Sequence, residues 1–345
     1  MGYHQALSKY RTAMMGIAAW LIVWYHCFLD TPISMINYVV GEKGAFGVDI
    51  FVFLSGFGIA HLLRKKESYV DYMRFRAGKI LPQNYAALIL CAVFMLIYER
   101  EALTIEWFSV NIVPFSALLG ADTEYWYVCA ALGYYAIAPF IVRMMDNSRY
   151  KRLSVILIVL FFSTFVIIPS QSAKYELLTP RIPGFIIGLA AGHFSINHGD
   201  DKKELFKDFL MIAGFFIVGM ALAFSRSWLY EKPFMIMQSK YYRRLIVNLV
   251  TPLLTVLLAY ILLLIDKTFL KIIKKALEFS GKYSLEIYLS HIALSKIIVN
   301  GYDMHNMTGM IILVLFTLPA ALLIRLMGKG IIKSVHFLTS DSKNV

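Results

Sequence analysis

Charge is the scarcest property of this 345-residue chain: only 16% of its residues are Asp, Glu, Lys or Arg, against about 25% in an ordinary soluble domain. Cysteine is nearly missing as well, with three residues. The shortage of charge excludes a soluble globular protein of this size, whose surface needs polar groups to stay dispersed. The shortage of cysteine excludes a disulfide-stapled miniature. Cys27, Cys91 and Cys129 form no CxxC pair and no metal-ligand spacing, so they read as core thiols and no metal is expected. There is no low-complexity tract and no inverted repeat of the transporter kind. The first apolar run holds His26 and lacks a small-residue cleavage motif, so it reads as a retained span and not a leader.

What is present is hydrophobic: 59% apolar residues, 15% aromatics and a mean hydropathy of +0.64. This is the composition of an integral membrane protein with several spans. Ten stretches approach the roughly 20 apolar residues a span needs: 14–28, 45–63, 80–98, 126–143, 153–169, 183–196, 210–224, 245–265, 284–299 and 310–327. The stretch 105–119 holds Asn111 and Pro114 and is set apart as interfacial or re-entrant. With the N-terminus inside, 23 Lys and Arg fall in inner segments and 9 in outer ones. The expected fold is therefore all-α: a polytopic transmembrane helical bundle of about ten spans, N-in and C-in. One membrane domain over 1–345, with no soluble domain, is expected. The net charge of +12 then belongs to basic loops facing an anionic leaflet, and nucleic acid is not an expected partner.

One outer loop runs against the bias. The segment 225–244 carries Arg226, Lys232, Lys240, Arg243 and Arg244 among Trp228, Tyr230, Tyr241 and Tyr242. It fits a girdle of snorkelling and interfacial side chains, an outer surface for an anionic glycan or lipid diphosphate, or an error in the topology.

Ionisable groups at membrane depth are costly and demand a reason. His26, near the outer end of the first span, has the side chain of a general base near neutral pH. Asp30 follows at i+4 on the same helix face, and Asp49 opens the second span on the same side. Spacing alone equally allows His26 to be a packing residue. On the inner side, Arg74, Arg76 and Lys79 precede Ile80-Leu81-Pro82. Three cations there suit phosphates, or simply anchor the loop. Glu124, Trp126 and Tyr127 open the fourth span as an aromatic belt or a sugar platform. In the ninth, Glu286, Tyr288 and His291, with Lys296 beyond, point to a hydrated cavity.

Four motifs in order resemble the membrane-bound acyltransferase-3 family, multi-span bacterial proteins that O-acylate surface glycans. They are Gly16-Ile17-Ala18-Ala19 leading to His26; Gly47-Val48-Asp49-Ile50-Phe51 through Leu54-Ser55-Gly56-Phe57; Arg74-Phe75-Arg76 with Lys79-Ile80-Leu81-Pro82; and Ser284 to His291 around Tyr288-Leu289. The resemblance covers about residues 10–330. It departs from the family twice. The first-span arginine is replaced by Met15, with Arg11 one turn earlier on a similar face as its substitute. Arg11 lies about 22 Å along a helix from His26, too far to be its partner. Lys79 stands where an arginine is common, keeping the charge and losing the guanidinium fork.

The resemblance implies a membrane O-acyltransferase of the cell inner (plasma) membrane. It would move an acyl group, most readily acetyl, from cytoplasmic acyl-CoA to a hydroxyl of a cell-surface polysaccharide or lipid-linked glycan. Arg74, Arg76, Lys79 and Arg11 would hold the acyl-CoA. His26, helped by Asp30 or Asp49, would deprotonate the hydroxyl or carry the acyl group. Glu124, Trp126, Tyr127, Glu286, Tyr288 and His291 would contact the acceptor or line the cavity. The rival reading is a transporter or flippase for a glycan or lipid-linked intermediate, using the same intramembrane charges as a path. A third is a non-catalytic acyltransferase-like partner that binds glycan without turnover.

Overall fold

A computed structural model describes residues 1–26, 44, 46–66, 68–98, 100–119, 121, 123–164, 178–229, 240–295 and 307–341. Among them there are helices and turns and no strand. The α-helices are α1 (Tyr3–His26), α2 (Phe46–Leu63), α3 (Tyr69–Tyr98), α4 (Ile105–Ile112), α5 (Trp126–Asn147), α6 (Lys151–Thr164), α7 (Ile182–His198), α8 (Lys202–Leu229), α9 (Lys240–Ile265), α10 (Lys271–Lys282), α11 (Ser284–Ser295) and α12 (Met307–Asp341).

Among the described residues, six helices are long and apolar enough to cross a membrane: Phe46–Leu63, Tyr69–Tyr98, Trp126–Asn147, Lys202–Arg226, Tyr242–Ile265 and Ile311–Ser334. They coincide with six of the ten predicted stretches. The other four are helical too, but their described parts are shorter or, in α1, begin with polar residues such as His4, Gln5, Ser8 and Lys9. The set-apart stretch 105–119 forms the short α4, capped by the Thr104 hydroxyl accepting from the Trp107 N–H at 3.1 Å. That helix ends at Val113, directly before Pro114, as the restriction on residues preceding proline requires.

Packing explains the composition of α2. It is surrounded by α1, α5, α7 and α9 and is apolar on all sides because no side faces water. Its longest contact is with α7, where a Cβ on Gly188 would run into the Phe53 carbonyl. Without a hydrophobic driving force between helices in lipid, such close backbone approach supplies the van der Waals contact that holds them. The helices α3, α11 and α12 pack together beside α1. Two hydroxyls tie helices together there: Tyr72 donates to the Tyr135 carbonyl at 3.0 Å and Ser290 to the Thr317 carbonyl at 3.2 Å.

Between the predicted stretches 245–265 and 284–299 lies a basic segment with Lys267, Lys271, Lys274, Lys275 and Lys282, counted on the inner side. Most of it is α10, which lies along α1 with Trp20 Nε1 donating to Ser280 Oγ at 3.0 Å. Beyond the end of the α9 span, Asp266 accepts from Tyr10 at 3.1 Å and meets Lys9 and Lys274 at 3.3 and 2.7 Å. The Lys274 ammonium, followed by Lys9 and Tyr10, holds its carboxyl down at about 2. The same pairing raises Lys274 above the usual ammonium range.

Candidate active site

Between α1, α2, α3, α5, α11 and α12 lies a cavity of about 500 Å³. Its wall carries six cations, Arg11, Arg76, Lys79, Lys282, Arg325 and Lys329, against one carboxylate, Glu286. Such an excess of positive charge in a partly enclosed space selects for a polyanion. Glu286 lies 3.7 Å from Arg325, whose guanidinium also donates to the Lys282 carbonyl at 3.0 Å and covers the Tyr283 ring at 4.7 Å. The α10–α11 break at Tyr283 thus brings a helix C-terminus and a cation together at the cavity wall.

The basic motif of 74–79 belongs to a helix and not to a loop, and this decides which of its cations reach the cavity. Arg76 and Lys79 line it together with Gln83, one and two turns apart. Arg74 sits two residues before Arg76, about half a turn round, is exposed and is outside the lining. Arg76 lies 5.3 Å from the Tyr135 ring centre, and its buried Nε has no hydrogen-bond partner, nor has Gln83 Oε1.

Arg11 lines the cavity one turn from Met15, the position where the family carries arginine. Its Nε donates to the Leu54 carbonyl at 3.2 Å, and its guanidinium passes over Gly58, where a Cβ would sit 2.6 Å from Nη2. The second-span glycine is therefore a seat for the Arg11 head as well as a packing residue.

In the cavity wall stand Tyr127 and Tyr288, edge to face at 5.3 Å. The fully buried ring of His291 lies 5.4 Å from that of Tyr288, and the ring of His26 lies 4.9 Å from that of His291. Neither imidazole lines the cavity itself. The structure thus joins two motifs far apart in the chain, the first-span histidine and the late-span histidine.

Asp49 faces elsewhere. Its Oδ1 accepts from Arg181 Nε at 2.9 Å and from Asn248 Nδ2 at 3.1 Å, all within the buried core. Arg181 also covers the Trp126 ring at 5.1 Å. Arg181 was not among the sequence candidates. A lone arginine between Pro180 and Pro183, at the edge of an apolar run, was the available signal. Glu124 is held at the start of α5 by Asn111, which accepts from its backbone N–H at 2.9 Å, while Trp107 Nε1 donates to its carboxylate at 3.4 Å. Asp30, Cys27 and Lys296 lie outside the described residues, as do 230–239 of the basic-aromatic loop, whose Arg226, Lys240, Arg243 and Arg244 fall within α8 and α9. Cys91 and Cys129 are buried thiols.

Three comparisons bear on this arrangement. Neither the curated proteins nor the solved structures contain a match to the chain. A family model described as an acyltransferase domain matches residues 12–326, a span that runs from the helix bearing His26 to the one bearing Arg325. A helical membrane protein with that match belongs to the acyltransferase-3 family, and is an acyltransferase.

Proposed function

We propose that the protein is an O-acyltransferase of the cell inner membrane, with about ten spans and both termini inside. It moves an acyl group, most readily acetyl, from cytoplasmic acyl-CoA to a hydroxyl of a surface polysaccharide or lipid-linked glycan. The observation that carries this reading is the cavity: six cations and two tyrosine rings in its wall, and an imidazole pair packed against one of those rings.

In this reading the cations Arg11, Arg76, Lys79, Lys282, Arg325 and Lys329 take the phosphates of the donor. Guanidinium groups pair with phosphate oxygens bidentately, and ammonium groups add point charge. Gln83 Oε1 and Arg76 Nε offer an acceptor and a donor to the amide-bearing arm of the thioester. The thioester carbonyl then lies by Tyr127 and Tyr288. His26 takes the proton of the acceptor hydroxyl as its oxygen attacks the carbonyl carbon, giving an ester and a thiolate. Trp126 and Glu124, at the start of α5, offer a ring face and a carboxylate to a sugar. The donor is made inside and the acceptor lies outside; transfer through the bundle moves the acyl group without exporting the nucleotide.

Purified full-length protein is tested for binding of acetyl-CoA, and membranes for incorporation of acetyl label. Binding that is weakened about tenfold in Arg76→Ala, and incorporation that is lost in His26→Ala while binding persists, support the reading. A protein that binds no acyl-CoA and transports a glycan instead refutes it and restores the flippase alternative.

A further inference from the structure

The neighbour of His26 is a second imidazole. His291 comes from α11, its ring 4.9 Å from that of His26 and tilted 40° to it. It is fully buried, and neither of its ring nitrogens has a hydrogen-bond partner among the described residues. The carbonyls of Ile287 and Tyr288 lie near the ring but outside hydrogen-bonding geometry. An imidazole buried in protein normally satisfies at least one nitrogen, because an orphaned polar atom there loses its hydration without replacement. The next group in line has the same character. Tyr288 packs on His291 at 5.4 Å, lines the cavity, and carries a buried hydroxyl with the Tyr127 backbone near it but outside hydrogen-bonding geometry among the described residues. Two buried proton-carrying groups thus stand between His26 and the cavity, His291 at 4.9 Å from the His26 ring and Tyr288 at 5.4 Å from that of His291. The described carboxylate nearest in the motif order, Asp49, is bound by Arg181 and Asn248.

We infer that His291 and Tyr288 form a proton relay that carries the acceptor's proton from His26 to the departing donor sulfur. This rests on the acyl-transfer reading above and adds to it where the proton goes. The acceptor O–H gives its proton to the His26 ring while its oxygen forms the new C–O bond. The C–S bond breaks and sulfur leaves with the electron pair as a thiolate in the cavity. Tyr288 gives its hydroxyl proton to that thiolate, His291 returns a proton to Tyr288, and His26 passes its own to His291. One proton has moved from oxygen to sulfur, and all three side chains end with the proton count they began with; each imidazole has exchanged its Nδ1–H and Nε2–H tautomers and resets before the next turnover. His291 acts through His26 and Tyr288, and is a positioning and relay residue.

The test uses the full-length protein in its native membranes, with labelled acetyl-CoA as donor and the envelope glycan of those membranes as acceptor. In an active wild type, His291→Gly lowers the rate at saturating donor by about 100-fold, the usual scale of a lost proton-transfer group. The donor KM stays within about twofold, and added imidazole restores at least about a tenth of the lost rate, because a small ring refills the gap. Tyr288→Phe keeps the ring packing and tests the hydroxyl alone; it lowers the same rate at least about tenfold with the donor KM unchanged. A Tyr288→Phe enzyme with the wild-type rate overturns the relay. So does a His291→Gly defect that imidazole leaves untouched in folded protein, or one carried by the donor KM. A wild type that transfers no label refutes the acyl-transfer reading itself, and the relay with it.

Discussion

The carboxylate of Asp49 and the guanidinium of Arg181 meet at 2.9 Å with both side chains about 5% exposed. This pair joins α2 to the turn Thr179–Arg181 that leads into α7, and Asn248 adds α9 to the same point. Removing one partner strands the other charge in the core, which costs about 3–5 kcal/mol. Asp49→Asn should therefore lower the thermal unfolding temperature in detergent markedly. Asp49→Asn combined with Arg181→Gln should recover part of the loss. If Asp49 works by holding helices in place, the acyl-transfer rate recovers in the double variant along with the stability; a rate that stays lost in stable protein would return Asp49 to the side of His26.

Arg74 and Arg76 share a motif but not a destination. Arg76→Ala should raise the donor KM about tenfold, as expected for one charge-assisted contact to phosphate. Arg74→Ala should leave it within about twofold, since an exposed cation outside the cavity contributes little at physiological salt. Initial rates across a donor titration in the two variants decide the matter.

Gly58→Ala tests the seat of Arg11. The new methyl would stand 2.6 Å from Arg11 Nη2, so the guanidinium must move out of the cavity wall. The expected result is a donor KM raised about fivefold, on the scale of about 1 kcal/mol. Adding Gly58→Ala to Arg11→Ala should then change nothing further, because both act on the same group.

Asp266 predicts a dependence on acid. Its carboxyl titrates at about 2 in the folded protein and at about 4 in an unfolded chain. A depressed folded value contributes stability above the unfolded value, and that contribution disappears as pH falls toward 2. The difference in unfolding temperature between the wild type and Asp266→Asn should be full at pH 7 and shrink below pH 4. A difference that stays constant down to pH 3 contradicts the assignment.

Much of the fold was legible because hydrophobic length is a local property. The six long apolar helices sit where the runs of the sequence put them, and Asn111 with Pro114 marked the one apolar stretch that behaves differently. The site was legible in pieces. His26, Arg76, Lys79 and Tyr288 stood out as polar groups in an apolar setting. Three cavity cations did not: Lys282, Arg325 and Lys329 look like ordinary inner anchors, and only the packing of α11 and α12 on α3 brings them to Arg76. The meeting of His26 and His291 is likewise a tertiary fact, since 265 residues separate them and no spacing rule spans that distance. Arg74 was misplaced for a simpler reason. A basic loop has no faces, but the helix that forms there does.

Tyr127 and Tyr288 meet in the cavity wall with the edge of one ring on the face of the other, and neither imidazole is part of that wall. In the acyl-transfer reading these rings would separate water at the charged wall from the imidazoles, and a thioester resting beneath them is shielded from activated water until an alcohol arrives from the opposite direction. The two tyrosines then act as a barrier against futile hydrolysis, and the enzyme loses little donor while it waits for its second substrate.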